Sequence, residues 1–268
     1  MSQVSPEAYY DALKALLCEL FGHDWHLGYW LNAATVAESA QRLNAIMAAR
    51  LALEPGMSVL DVGCGVGGSA CFMARESGAQ VVGISNSRPG LDEAERFAKQ
   101  QGVDHLVSFR FGEMQEIPFP DGSFDRVWSC EALHNVADKT SVVPELARVL
   151  RPGGRMVLGD LFLLNPVIET ADLERLRQFS FHLSTADAFI GALQNSGIRV
   201  VESIDIGHHV GPKSPEMSAQ ICREKLEHTP AQTLERMILE RTIMATSFLA
   251  EMFRTRTVGW GIWVGVKD

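Results

Sequence analysis

Apolar residues recur along this chain with two different periods, and the change of period divides it. Near the start the spacing is helical. Residues 5–21 open on Ser5-Pro6-Glu7, an N-cap residue followed by proline at the first helical position. Residues 33–52 are alanine-rich and place Val36, Leu43, Ile46 and Met47 at helical spacing. Between them lies FGHDWHLGYW, an aromatic loop with glycines at 22 and 28, and Glu54-Pro55-Gly56 then breaks the chain.

After that break, short apolar runs alternate with helical stretches. Strand patterns fall at 57–62, 79–85, 105–111, 124–130, 154–164, 198–205 and 257–267, with helices at 67–77, 88–101, 138–150 and 185–196. Such alternation predicts an α/β fold with a mainly parallel, doubly wound sheet. Turn chemistry agrees, since Pro120-Asp121-Gly122 and Arg151-Pro152-Gly153-Gly154 each precede a strand. Residues 211–255 interrupt the rhythm and read as two helices parted at Pro230. Leu234, Met237, Ile238, Met244, Phe248 and Met252 share a broad apolar face there. A face of that kind either packs on a core or forms a lid over a pocket.

Composition narrows the partners. A net charge of −9 argues against a nucleic-acid surface, which needs a basic stripe. No apolar run approaches the roughly 18 residues of a membrane span, and MSQVSPEAYY lacks the regions of a signal peptide. The five cysteines are scattered and include no CxxC, as expected of reduced thiols in a cytoplasmic protein with no metal site. A small-molecule partner is expected. A homo-oligomer is compatible with all of this.

Residues 60–68, LDVGCGVGG, carry the spacing GxGxxG through Gly63, Gly65 and Gly68. That spacing serves NAD(P) and other adenosine cofactors alike. The second strand ends GISNSR, without the acid that holds an NAD ribose, although Ser85, Ser87 and Arg88 suit the 2′-phosphate of NADP. Asp61 points elsewhere. A carboxylate at the mouth of the loop repels a pyrophosphate and attracts an ammonium group. A cofactor with an amino-acid tail and a sulfonium satisfies it.

VLDVGCGVGG resembles motif I of the class I S-adenosylmethionine-dependent methyltransferases. The likeness continues in register through GISNSR, FGEMQEIPFPDGSFDRVWSCEALHN and ELARVLRPGGRMVLGD, over about residues 55–165. HLGYW at 26–30 resembles an element of a small-molecule subgroup that includes natural-product sugar O-methyltransferases and tocopherol- and sterol-type enzymes. The resemblance implies a Rossmann-like seven-stranded sheet with helices on both faces and S-adenosylmethionine as cofactor. It implies that the backbone of Gly63 and Gly65 lies along the amino-acid tail, with Asp61 orienting its ammonium group. Ser85 and Asn86 would meet the ribose, Glu113 the adenine amino group, and Met114 would stack beside it. Tyr29 and Trp30 would close over the methionine end, where an aromatic face near a sulfonium contributes about 0.5–2 kcal/mol. Two departures stand out: Gly90 replaces a frequent glutamine, and His134-Asn135 replaces a frequent His-His pair.

Methyl transfer is an in-line displacement, so positioning can supply about 7–11 kcal/mol. A hydroxyl acceptor also needs a general base, worth about 10²–10⁴-fold. His134 and Asp160, near the carboxyl ends of the fourth and fifth strands, match acid–base or substrate-orienting positions in the sugar O-methyltransferase subgroup. His26 and His182 are candidate substrate contacts, Glu131 a pocket wall, and His208-His209 a solvated turn. The expected organisation is a helical cap with a cofactor-closing loop (1–54), the cofactor-binding core (55–210), a helical lid (211–255) and a final strand (256–268). The expected reaction is methylation of a hydroxyl on a small secondary metabolite. Alternatives are carbon methylation of a prenyl or aromatic acceptor, a cyclase on the same fold, and, disfavoured by Asp61, an NADP oxidoreductase.

Overall fold

A computed structural model describes residues 6–268. Two helices lead, α1 (Pro6–Phe21) and α2 (Val36–Leu51). The cap assigned to Ser5 lies outside the described residues. Thr35 caps α2, its hydroxyl accepting from the Glu38 N–H at 3.1 Å while the Glu38 carboxylate accepts from Ala34 N–H at 2.8 Å. This reciprocal pairing satisfies donors that a helix start leaves free.

The alternating region then runs β1 (Ser58–Val62), α3 (Gly68–Ser77), β2 (Gln80–Ser85), α4 (Arg88–Gln101), β3 (Val107–Phe111), β4 (Phe124–Cys130), α5 (Lys139–Val149) and β5 (Leu150–Leu163). It continues with α6 (Thr170–Gln178), α7 (Ala186–Asn195), β6 (Ile198–Asp205), α8 (Gly207–Val210), α9 (Lys213–Glu227), α10 (Leu234–Arg254) and β7 (Val258–Lys267). The sheet order is β3-β2-β1-β4-β5-β7-β6. All neighbours pair in parallel except β7, which runs antiparallel to both β5 and β6.

Both faces of the sheet are covered, so the central strands are apolar on both sides. Successive residues go to opposite layers. Val59 and Val157 join a core with α2, α3 and α10, whereas Leu60 and Leu158 join one with α5 and α7. Two local features differ from the sequence expectation. β5 begins at Leu150, four residues early, because Leu150 pairs with Phe124 across a bulge. Helix α6 was not foreseen; its segment is mostly polar and only Leu176 is fully buried, which leaves little periodicity to read.

The 211–255 segment does fold as two helices parted around Pro230. Its apolar face is split between two jobs. Ile238 and Leu239 of α10 pack with Leu16 of α1 and Cys222 of α9, while Phe248, Leu249, Met252 and Phe253 enter the main core. Met237 and Met244 are exposed (46% and 56%) and belong to neither.

Glycines mark where layers touch. A Cβ on Gly159 would sit 2.4 Å from the Trp260 ring and 2.8 Å from Met47. Gly191, inside α7, has nothing within 4 Å. Gly159→Ala is therefore expected to cost about 1–3 kcal/mol by overpacking. Gly191→Ala is expected to gain about 0.5–1 kcal/mol from helix propensity. Urea denaturation of both variants checks the opposite signs.

Candidate active site

The strand order reverses between β1 and β4, which opens a crevice at the carboxyl edge of the sheet. A cavity of about 360 Å³ fills it. Asp61 and the Gly63–Val66 turn form its floor, Ser85 and Asn86 come from the end of β2, and Glu113 and Met114 follow β3. Asn86 donates to the Glu113 carboxylate at 3.2 Å, which ties two of these walls together. Gly63 is required twice over: its φ is +80°, and a Cβ would lie 2.3 Å from the Ala132 side chain.

The fourth wall is the segment His23-Asp24-Trp25-His26. It seats directly on the start of α3, where a Cβ on Gly68 would meet the His23 carbonyl at 2.3 Å. Asn44, fully buried in α2, organises it. Its amide donates to Asp24 at 2.8 Å, and its carbonyl oxygen accepts from Ser69 at 3.0 Å and contacts His26 Nε2 at 3.1 Å. That assigns the His26 proton to Nε2 and leaves Nδ1 buried without a partner among the described residues. Burial holds His26 below its ordinary pKa, so it is neutral here.

Asp61 is 2% exposed, and its Oδ2 has no hydrogen-bond partner among the described residues. Burial, reinforced by the Asp24 charge, pushes its pKa up to about 8. Glu131 closes the crevice from the β4 side. Its φ of +50° holds a strained left-handed backbone. Its Oε1 accepts from Leu27 N–H and from Trp260 Nε1, both at 2.8 Å, and burial raises its pKa to about 7.

Tyr29 and Trp30 are not at the cavity, which corrects the sequence expectation. Gly28 turns the chain at φ +73° and packs against Ser39. Beyond it Tyr29 lies on His209 at 4.7 Å between ring centroids, and Trp30 is buried with its indole N–H on the Leu27 carbonyl. The indole rings that line the cavity are instead Trp25, upstream of that turn, and Trp128 of β4. His23, Asp24 and Trp25 were missed because the aromatic pair drew the assignment; the polar residues flanking Trp25 were the available signal.

His134 and Asp160 meet. The His134 Nδ1 lies 2.7 Å from Asp160 Oδ1, and its backbone N–H donates to Oδ2 at 2.9 Å. Leu161 N–H adds a third bond to Oδ1 at 2.7 Å, so the carboxylate is fixed. Burial pulls the His134 pKa down, but the Asp160 charge and hydrogen bond, with Glu131 behind, hold it above its ordinary value. Neither residue lines the cofactor cavity; the adjacent Asn135 does. His182 lies in a separate cavity, its N–H donating to the His134 carbonyl at 2.8 Å. His208 and His209 lie in the short helix α8 and not in a turn, their rings 3.8 Å apart and tilted at 46°, with His208 exposed as expected and His209 half-buried.

A doubly wound sheet with an antiparallel β7, a glycine turn and an unpaired carboxylate at the switch point defines a Rossmann-like methyltransferase architecture. The methyltransferase domain profile matches residues 60–158. The 27-O-demethylrifamycin SV methyltransferase of Amycolatopsis mediterranei is 36% identical over 84% of this chain and 86% of its own. Methyltransferase GfsG of Streptomyces halstedii is 34% identical over 77% of each. The solved cyclopropane synthase MmaA2 of Mycobacterium tuberculosis superposes with a TM-score of 0.82 over all of both chains at 17% identity, a likeness of fold. The chain belongs to the S-adenosylmethionine-dependent small-molecule methyltransferases, and S-adenosylmethionine is its cofactor. The site fits that cofactor: an uncompensated buried carboxylate suits a cationic amino-acid tail and disfavours a pyrophosphate.

Asp61 gives a signed test on the ligand-free protein. Its folded pKa, about 8, is raised above the unfolded value, so its ionisation destabilises the fold. That cost grows as pH rises from about 4 to about 8 and is constant above. The melting temperature of Asp61→Asn relative to wild type is expected to rise across this window by several degrees, then level off. A pH-independent difference in calorimetry would show that Asp61 titrates as an ordinary acid.

Proposed function

We propose that this enzyme methylates a hydroxyl group of a small secondary-metabolite acceptor, with His134 as general base. The observation that carries the reading is the buried His134–Asp160 pair at 2.7 Å. Asp160 fixes the ring through Nδ1, and Nε2 has no hydrogen-bond partner among the described residues. An imidazole held in this way takes a hydroxyl proton at Nε2, and the carboxylate stabilises the imidazolium that forms. The names of the relatives support an oxygen acceptor, since several are O-methyltransferases.

The cofactor supplies an electrophilic methyl group on a sulfonium. In this reading Asp61 holds its ammonium group, Gly63 and Gly65 face its amino-acid tail, Ser85 and Asn86 its ribose, and Glu113 and Met114 its adenine. Trp25 takes the place first assigned to Tyr29 and Trp30. Asp24 adds a second carboxylate near the cationic end, and Asn44 keeps it there. The N-terminal helices and the 211–255 helices act as the cap. No helix among the described residues is long and apolar enough to cross a membrane.

Asp61→Ala is expected to weaken S-adenosylmethionine binding at least about tenfold, because about 1.4 kcal/mol suffices for that. In wild type the affinity is expected to rise with pH up to about 8, as ionised Asp61 becomes populated, and calorimetric titration should show this slope vanish in the variant.

The base assignment is tested by turnover on hydroxylated metabolites, beginning with 27-O-demethylrifamycin SV, the acceptor in one relative's name. His134→Gln should lower kcat by about 10²–10⁴-fold while cofactor affinity stays within twofold of wild type. The wild-type rate should rise with pH through a value above 6.5, where His134 loses its proton. Glu131 titrates nearby, so the decisive result is the shift in Asp160→Asn, whose midpoint should move to lower pH. Full turnover in His134→Gln would place the base elsewhere or point to a carbon acceptor.

A further inference from the structure

Beside the His134–Asp160 pair lies a second cavity of about 290 Å³. Its walls come from the start of α5, from α6, from residues 181–184 and from α7. Three basic side chains converge on it: Lys139, Arg177 and His182. The single acid on its wall is Asp138, an exposed residue with contacts of its own. A chain with a net charge of −9 keeps a basic chamber next to its catalytic candidates.

Among the described residues no carboxylate forms an ion pair with Arg177 or Lys139. Arg177 makes no ion pair or hydrogen bond through its guanidinium among the described residues. Lys139 Nζ is held by two backbone carbonyls, Val136 at 3.3 Å and His182, rather than by a carboxylate. Asp160 acts on Lys139 only through space. Helices α5 and α7, 11 and 10 residues long, both begin at the cavity wall, so their amide-rich ends add to the same field. His182 registers the result: burial, then Lys139, Arg177 and His134, hold its pKa below the ordinary value.

We propose that this cavity seats an anionic group of the acceptor, a carboxylate or phosphate, held by Arg177, Lys139 and His182. The inference rests on the acceptor reading above and narrows its substrate class to hydroxylated acids. The remaining wall, with Leu173, Phe181, Leu183 and Phe189, is apolar and suits a carbon skeleton. Phe181 also touches the base, its ring 5.3 Å from that of His134. One short loop thus lines the anion cavity and braces the catalytic pair. An acceptor anchored there lies one side chain away from His134.

The test reads the cavity without requiring turnover. The His182 imidazole is followed by NMR during a pH titration, its signal assigned with His182→Gln, at constant ionic strength in chloride and then in sodium phosphate. Phosphate is expected to raise the His182 midpoint by about half a unit or more, and Arg177→Ala is expected to abolish that rise. A second pair of probes is 4-hydroxybenzoate and its methyl ester, with the acid expected to shift His182 at lower concentration. No shift with phosphate or with the hydroxy acid overturns the proposal. A phosphate shift with equal response to acid and ester also overturns it, because the cavity would then hold a free anion and not the acceptor. His134→Gln should keep the full anion response, so failure of the base assignment is read separately.

Discussion

The site is arranged around a buried carboxyl group, Asp61, whose Oδ2 has no hydrogen-bond partner among the described residues. Asp61 sits at the end of β1, the central strand at which the sheet reverses direction. Main-chain pairing to β2 and β4 fixes its backbone on both sides, so the side chain cannot retreat to solvent. The Asp24 charge makes the position worse. Stable folding with two acids facing one crevice makes sense when a cationic ligand completes the structure. That unfavourable charge then becomes selectivity, because a ligand bringing phosphates in place of an ammonium is repelled.

Closure of the crevice is coupled to the far side of the sheet through one oxygen. Glu131 Oε1 accepts from Leu27, next to the 23–26 segment that walls the cavity, and from Trp260, in the strand beyond the inserted helices. A strained backbone at Glu131 holds it between them. The insertion contributes to the same rigidity, since the second half of α10 is built into the main core and its first half packs on α1. The insertion is therefore part of the fold and not an appendage to it.

The His134–Asp160 pair follows a different logic. Asp160 is fully committed, accepting from two backbone N–H groups and from the His134 ring, and so acts by positioning and charge. Its charge and its hydrogen bond, with Glu131 behind, together outweigh the burial that pulls the His134 pKa down. The loop behind the pair carries His182 and meets Lys139, so the His134–Asp160 pair and the second cavity share one short stretch of chain.

Much of this was legible in the residues. Alternating apolar periods, glycine turns and the Asp61–Gly63–Gly65 spacing act over a few residues, and local backbone sterics translate them directly into strand, turn and helix. The polar α6 escaped because little of it is buried. The sequence also named His134 and Asp160 separately, but their contact spans 26 residues and exists only because β4 and β5 are neighbours. Which residues of the aromatic loop line the cavity was likewise a tertiary decision: Gly28 folds against Ser39 of α2, which turns Tyr29 and Trp30 away and leaves Trp25 at the wall. Local sterics wrote the sheet and the glycine cradle into the sequence. Side chains far apart in the chain acquire their partners, charges and orientation only when the layers close.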